Sequence, residues 1–205
     1  MELIAALGRT MGLSFAAGIN LYATVVVLGL ASRLGWVDLP DRFQAIDSNI
    51  VIAGALLLYM VEFVADKIPW VDSAWDTVHT FIRPVGGALI AVVTIGDASP
   101  TVEGLVALLG GSVAASTHFT KTGARVAVNT SPEPISNWIL SFAEDAFVVG
   151  LGSLAIAYPV AALAVVVGLL AVILTFFGAL IGVAWRRFSC RFRPYPSVTV
   201  GKAAP

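Results

Sequence analysis

Six apolar stretches, most of them near the ~20 residues that a membrane-spanning helix needs, divide the sequence. They cover residues 3–34, 49–68, 81–95, 102–128, 138–157 and 160–185. Charged residues make up 12% of the chain, whereas a soluble domain carries about 25%. A soluble protein of this composition would have too few polar side chains to cover its exterior. The sequence therefore predicts an all-α polytopic membrane protein with about six transmembrane helices.

Lysine and arginine predict the orientation of these helices, because both are enriched in cytoplasmic loops. With six spans both termini share one side, and ten basic residues fall there: Arg9, Lys67, Arg83, Lys121, Arg125, Arg186, Arg187, Arg191, Arg193 and Lys202. The other side has only Arg33 and Arg42. This asymmetry predicts that both termini are cytoplasmic. Residues 1–187 then form the transmembrane domain, with its first span retained, and 188–205 form a basic, proline-containing cytoplasmic tail.

A short internal match suggests that the chain has two related halves. Residues 12–20 align without gaps on residues 110–118, and Asn20 falls on His118. Two three-helix halves, at 3–97 and 102–187, would have opposite orientation in the membrane, as in many transporters. Short or re-entrant elements would then lie near Pro84 and Gly110. The alternative is that small residues match by chance in apolar sequence.

The most charged segment of the chain, residues 62–84, lies between two apolar stretches. Glu62 and Asp66 are four residues apart, so they share a helix face. Asp72, Asp76 and His79 form a second set on one face. These side chains could form a cation site, because hard cations take several oxygen ligands and Asp76 with His79 would also suit a transition metal.

An amphipathic helix at the membrane surface, with its acids in water, is the alternative for this segment. It fits Asp72 and Asp76 better than a cation site does. Glu62 differs, because the apolar run before it places it below the lipid headgroups, where an ionisable residue indicates function. We therefore predict a cation or metal site formed by Glu62 and Asp66 together with Glu144.

Two further groups of charges lie later in the chain. His118, Lys121 and Arg125 share one helix face. They could bind a phosphate headgroup, neutralise buried acids, or, for the two long cations, extend to the membrane surface. His118 is the better candidate for a buried role. Glu144 and Asp145 are the only charges between 138 and 185. An ion pair with Lys121 or Arg125 and a transport site are both open for them.

Several classes of protein lack support. The formal net charge is −1, so no basic surface is available for nucleic acid. The single cysteine excludes an intramolecular disulfide, and there is no Cys/His cluster or nucleophile motif. We therefore expect neither enzymatic activity nor a cofactor. The expected partners are membrane lipids, a small cation or solute and, as a homo-oligomer, further copies of the chain.

The function that these observations favour is transport or conduction of a small ion or solute, most concretely a cation. The candidate ion-binding residues are Asn20, Glu62, Asp66, Asp76, His79, His118, Lys121, Arg125, Glu144 and Asp145. Two other classes stay open. One is a protein that binds or flips a lipid by its phosphate group, and the other is a membrane scaffold without transport activity.

The sequence also resembles a family of bacterial integral membrane proteins described as a domain of unknown function, DUF4126. The residues that carry the resemblance include Gly18, Asn20, Tyr22, Glu62, Asp66, Lys67, Pro69, Asp72, Trp75, Asp76, His79, Arg83, Pro84, His118, Lys121, Arg125, Glu133, Asn137, Glu144 and Asp145. They cover nearly the whole chain up to the basic tail. The resemblance implies a multi-pass protein of the bacterial inner membrane, and it implies no activity.

Overall fold

The protein is all-α in the computed structural model, which describes residues 2–130 and 135–191. These residues form seven α-helices and one 3-10 helix. In chain order they are α1 (Glu2–Ile19), α2 (Leu21–Arg33), the 3-10 helix (Asp41–Asp47), α3 (Asn49–Ala65), α4 (Pro69–Ile95), α5 (Pro100–Asn129), α6 (Ile135–Ala157) and α7 (Pro159–Arg191). Prolines begin α4, α5 and α7, where the missing N–H has no intrahelical partner to lose.

Five of these helices are long and apolar enough to cross a membrane: α1, α4, α5, α6 and α7. A sixth span results if the 3-10 helix and α3, which meet at an angle of 53°, count as one broken span. The chain is therefore a multi-pass membrane protein. The six candidate spans follow the order that the six apolar stretches predict.

The predicted short or re-entrant elements near Pro84 and Gly110 are wrong. α4 runs without a break from Pro69 through Pro84, and α5 runs without a break through Gly110. The segment predicted as a separate surface helix before residue 81 is the first half of α4. Neighbouring helices at membrane depth can compensate for the hydrogen bond that a proline removes, so Pro84 does not end α4.

The first apolar stretch, by contrast, is broken at Asn20. This residue has an extended backbone (φ −146°, ψ 101°), and its side-chain oxygen accepts a hydrogen bond from the N–H of Ala23 at 2.9 Å. Asn20 therefore caps the N-terminus of α2, as asparagine does at many helix starts. The cap ends α1 in the interior of the protein, where its last carbonyl groups need other partners.

The residues up to Leu170 form one compact unit, in which α1 packs against α4, α5 and α6. Small residues allow the close approach. The hydroxyl of Ser14 donates to the carbonyl of Gly87 at 3.1 Å, and a Cβ added to Gly12 would lie 2.6 Å from Ala155 Cβ. Larger side chains at these positions would separate the helices. Small residues are common at helix interfaces in membranes for this reason.

The residues from Ala171 onward form a second unit, which in the described part of the chain is the continuation of α7. Its apolar side chains, Phe176 and Leu180 among them, are exposed, which suits a helix surrounded by lipid. The predicted tail (188–205) begins within α7, and from residue 192 it lies outside the described residues. Residues 131–134 of the loop before α6 also lie outside the described residues.

Candidate functional site

The polar interior of the first unit is a cluster of charged side chains where α3, α4, α5 and α6 meet the break between α1 and α2. We call it the buried charge network. Its members are Asn20, Glu62, Asp66, Asp72, Asp76, His79, Arg83, His118, Lys121, Arg125, Asn137 and Asp145, which are all buried, and Glu144, whose side chain is 12% exposed. All ten predicted ion-binding residues lie in this network.

Helical spacing explains why one network collects so many charges. On α4, Asp72, Asp76, His79 and Arg83 follow one another at intervals of four, three and four residues. Such intervals place side chains on one helix face, and here that face points into the protein. The alternative that put Asp72 and Asp76 in water is therefore wrong.

Arg83 lies at the centre of one group of charges in the network, which also contains Glu62, Asp76 and His118. Its guanidinium lies 2.8 Å from Glu62 Oε1 and 3.3 Å from Asp76 Oδ1. It also donates to Nδ1 of His118 at 2.8 Å. Arg83 and Glu62 are fully buried. Charges without solvent are stable only when partners surround them, so these contacts hold α3, α4 and α5 together.

The partners of His118 define its tautomer. A guanidinium can only donate, so Nδ1 of His118 accepts from Arg83 and Nε2–H of His118 donates to the hydroxyl of Thr80 at 3.1 Å. The imidazole of His118 is therefore neutral in this arrangement. In His79, Nδ1–H donates to the carbonyl of Trp75 at 2.8 Å, and Nε2 shares a hydrogen bond with the hydroxyl of Tyr22 at 3.0 Å.

Lys121 lies at the centre of a second group of charges in the network. Its ammonium nitrogen lies 3.1 Å from Asp66 Oδ2, 3.5 Å from Glu62 Oε1 and 3.6 Å from Glu144 Oε2. It also donates to the carbonyl of Ile19, at the end of α1, over 3.2 Å. Three carboxylates from α3, α6 and the turn after α3 thus converge on one amine.

The predicted metal site of Glu62, Asp66 and Glu144 stays a prediction. Within residues 2–130 and 135–191, no group of three or more His, Cys, Asp or Glu side chains is arranged to hold a metal ion. In this conformation the ammonium of Lys121 occupies the point where the three carboxylates meet. The positive charge on which they converge is thus one of the two side chains that the sequence offered as their counter-charge.

Arg125 joins α5 to α6 and to the turn after α3. It donates to Asp66 Oδ2 and to the backbone carbonyl of Asp66, each at 2.9 Å, and to Asn137 Oδ1 at 2.9 Å. It also pairs with Glu144. The alternative in which Lys121 and Arg125 extend to the membrane surface is wrong, since both are buried. Of the alternatives left open for them, the geometry agrees with the counter-charge role, since Lys121 lies near Glu62 and Glu144 and Arg125 pairs with Glu144.

The break at Asn20 supplies backbone groups to the network. The carbonyl of Ile19 accepts from Lys121, and the carbonyl of Gly18 accepts from Arg83 at 3.4 Å. These carbonyls lie at the C-terminal end of α1, where the helix dipole favours positive charge. Asn20 itself donates to Asp145 Oδ1 at 3.2 Å.

Acids outnumber bases in the network. Its carboxylates are Glu62, Asp66, Asp72, Asp76, Glu144 and Asp145, six in all, and its cations are Arg83, Lys121 and Arg125. Lys67 lies at the edge, where its ammonium is 3.0 Å from the ring centroid of Phe63 and 3.4 Å from the hydroxyl of Ser141. Partial burial lowers the pKa of Lys67. Two or three carboxylates are therefore without a basic residue of their own.

Three members of the network are not among the ten predicted ion-binding residues: Asp72, Arg83 and Asn137. Asp72 was part of the possible cation set on α4, but the surface-helix alternative fitted it better. Arg83 was noted in the count of basic residues and in the family resemblance, and Asn137 in the resemblance, but neither was predicted to bind an ion. An asparagine after a proline-containing loop is more typical of a turn. The hydrogen bond of Tyr22 with His79 also depends on the fold alone.

The fold and the network define a multi-pass membrane protein with a charged interior. Residues 7–178 match the family described as a domain of unknown function (DUF4126), so the chain belongs to this family, as its resemblance indicated. No curated protein and no solved structure matches the chain.

Proposed function

We propose that the protein transports a small cation across the membrane, and that the surplus carboxylates of the buried charge network bind and release protons during transport. The observation that carries this proposal is that the network contains six carboxylates and only three buried bases. An unpaired charge at membrane depth is costly, and such residues commonly line ion or proton pathways.

The surplus charge needs neutralisation by something that the chain does not supply. Breaking a buried ion pair costs about 3–5 kcal/mol because an uncompensated charge remains, and a similar cost applies to each carboxylate that lacks a base. Protonation removes this cost. Because Lys121 occupies the point where Glu62, Asp66 and Glu144 converge, protons on the remaining acids are the simplest neutralising charge in this conformation.

Asp145 is the carboxylate best placed to exchange a proton. Among the described residues no basic side chain lies within ion-pair distance of it. Its Oδ1 accepts from Asn20, whereas its buried Oδ2 has no partner at normal hydrogen-bond geometry among the described residues, and the hydroxyl of Tyr59 is the other polar group near the carboxylate. The helix break at Asn20 thus lies beside the least compensated acid, an arrangement found in the ion sites of transporters with discontinuous helices.

The other two classes have less support. A protein that binds lipid phosphates needs free cations at the headgroup, whereas Arg83, Lys121 and Arg125 are buried and paired with acids. A scaffold needs acids and bases that pair completely, whereas the acids here are in excess. The proposal requires no catalytic group. The bacterial inner membrane, the cytoplasmic termini and a homo-oligomer stay predictions.

We expect Asp145→Asn to reduce cation-driven currents at least tenfold. The purified protein is reconstituted in liposomes on a solid support, and transient currents are recorded after jumps in Na⁺, K⁺ or ammonium concentration. Asparagine keeps the shape of Asp145 and can still contact Asn20, but it cannot bind and release a proton. The wild type should give a current with at least one cation that empty liposomes do not give.

Glu103→Gln is the matched control for this experiment. Glu103 lies near the start of α5 and pairs with the exposed Arg42 outside the network, so its loss should leave the currents unchanged. Currents of wild-type size in Asp145→Asn would show that this carboxylate does not exchange protons. The absence of any current above empty liposomes in the wild type would refute cation transport.

A further inference from the structure

We propose that the four oxygens around the ammonium of Lys121 form a binding site for a small ammonium-type cation, namely ammonium or a protonated primary amine. In this conformation the chain's own amine fills the site. We call these oxygens the Lys121 cage: Ile19 O, Glu62 Oε1, Asp66 Oδ2 and Glu144 Oε2. The inference rests on the proposed function, for which it names the class of substrate.

The cage is a built site, because different parts of the fold supply its oxygens. Glu62 comes from the last turn of α3, Asp66 from the turn that follows, Glu144 from α6 and Ile19 from the broken end of α1. A carbonyl at the end of a broken helix, next to carboxylates, is a recurrent cation-binding arrangement in transporters. Glu62 and Asp66 are at most 2% exposed, so water does not weaken their charge.

Two oxygens of the cage residues have spare capacity. Glu62 Oε2 and Asp66 Oδ1 are buried and accept no hydrogen bond from any described residue. A free ammonium ion has four N–H donors, one more than the side chain of Lys121 can offer. It would therefore donate to one oxygen more than Lys121 does, for example to one of the two idle carboxylate oxygens.

The size of the cage selects among cations. Its oxygens lie 3.1–3.6 Å from the nitrogen of Lys121. Mg²⁺ needs oxygens at about 2.0–2.1 Å and Ca²⁺ at about 2.3–2.6 Å, which are all shorter than the distances in the cage. Hydrogen bonds between N–H cations and carboxylates are about 2.7–2.9 Å long. Asp66 Oδ2 and Ile19 O are already within hydrogen-bond range of the nitrogen, at 3.1 and 3.2 Å, whereas Glu62 and Glu144 lie at 3.5 and 3.6 Å. A cation with N–H groups therefore needs a smaller contraction of the cage than Mg²⁺ or Ca²⁺ does.

A tethered cation also suggests how occupancy could alternate. Lys121 has a flexible four-carbon stem on α5. Withdrawal of its amine would leave Glu62 paired with Arg83 alone, and Asp66 and Glu144 sharing Arg125, so the cage would lack one positive charge. A free ammonium-type cation would then take the place of the amine in the cage, and the net charge of the cage and its occupant would stay the same. When the cation leaves, Lys121 returns and stabilises the empty protein, so substrate and side chain compete for one position.

The test removes the tethered amine and supplies a free one. In Lys121→Ala the cage is empty, and we expect ammonium or methylammonium chloride at pH 7 to raise the Tm of the purified protein in detergent. At a concentration roughly tenfold above the Kd, the shift should be about 4 °C. NaCl and tetramethylammonium chloride at equal ionic strength should give much smaller shifts. The wild type, whose cage is filled, should show no selective shift.

Two control variants keep the test decisive. Lys121→Met fills much of the space of the lysine without its charge, so ammonium should no longer stabilise it selectively. If Lys121→Ala does not fold, the double variant Lys121→Ala/Glu144→Gln retains the net charge of the network, and ammonium should still raise its Tm, by a smaller amount. Equal shifts with all salts, or no shift in either alanine variant, would overturn the proposal.

The binding test and the current measurements can fail independently. Selective stabilisation of Lys121→Ala by methylammonium, together with no current in wild-type liposomes, would support the cage and refute transport. Currents that depend on Asp145, together with no ammonium effect on Lys121→Ala, would leave the proposed function and refute the cage.

Discussion

Replacing Arg83 with methionine is expected to lower the free energy of unfolding by about 3–5 kcal/mol, the usual effect of removing one partner from a buried ion pair. The guanidinium of Arg83 is fully buried and lies within 3.3 Å of both Glu62 and Asp76. Without it, both acids stay in the interior and lose their shared partner. Methionine fills much of the same volume, so the loss chiefly reflects the charge. Unfolding of the detergent-solubilised protein by increasing SDS measures the change.

Arg42→Met is the matched control. Arg42 also pairs with a carboxylate, that of Glu103, but its side chain is 48% exposed. Water already solvates both partners of such a pair, so the change should stay within about 1 kcal/mol. If Arg83→Met were no more destabilising than Arg42→Met, the arginine would not hold the network together as the structure indicates.

Gly110→Val is expected to be about as damaging, for a steric reason. A Cβ on Gly110 would lie 2.8 Å from the hydroxyl oxygen of Ser14 and 2.9 Å from the backbone oxygen of Gly87. Valine adds two methyl groups beyond that position, and a backbone atom cannot rotate away as a side chain can. We expect the free energy of unfolding to fall by about 3 kcal/mol or more, at or above the usual range for overpacking, in the same SDS titration.

Gly123→Ala, also on α5, separates this clash from the effect of glycine on the helix. A Cβ on Gly123 meets no atom of the described residues within 4 Å. Alanine favours a helix over glycine by up to about 1 kcal/mol, so this variant should be as stable as the wild type or slightly more stable. If Gly110→Val were no more destabilising than Gly123→Ala, the close packing of α1, α4 and α5 at Gly110 would be refuted.

Span number and order were predictable because apolar length is a strong signal in a membrane protein. The break in the first apolar stretch at Asn20 was harder to predict. An asparagine in an apolar run can lie within a helix or cap a new one, and only the tertiary partners of the freed carbonyls decide. Here Arg83 and Lys121 are those partners, and they lie more than sixty residues further along the chain.

The candidate residues were also predictable, and pairing of Glu144 with Lys121 or Arg125 was one of the alternatives, but the partners of the charges on α4 were not predictable. Spacing on a helix gives the face that a charge occupies and leaves open whether the face meets water, lipid or protein. Asp72 and Asp76 illustrate this limit, because an amphipathic surface helix and a buried charged face have the same pattern. The structure differs because α5 brings Arg125 within 3.9 Å of Asp72 and the hydroxyl of Thr122 within 3.1 Å of Asp76.

The internal match between residues 12–20 and 110–118 gives a mixed result. Asn20 and His118, which align, both lie in the buried charge network. Asn20, however, breaks its helix, whereas His118 lies within the continuous α5. The arrangement in two inverted halves therefore stays a prediction.

The most direct measurement is the infrared spectrum of the protein in lipid at neutral pH. Protonated carboxyl groups absorb at a carbonyl frequency that ionised carboxylates lack, and surface acids are ionised at this pH. Because the network holds more acids than bases, we predict this absorbance in the wild type and a weaker band in Asp145→Asn. A wild-type spectrum with ionised carboxylates alone would contradict a network whose surplus charge is held as exchangeable protons.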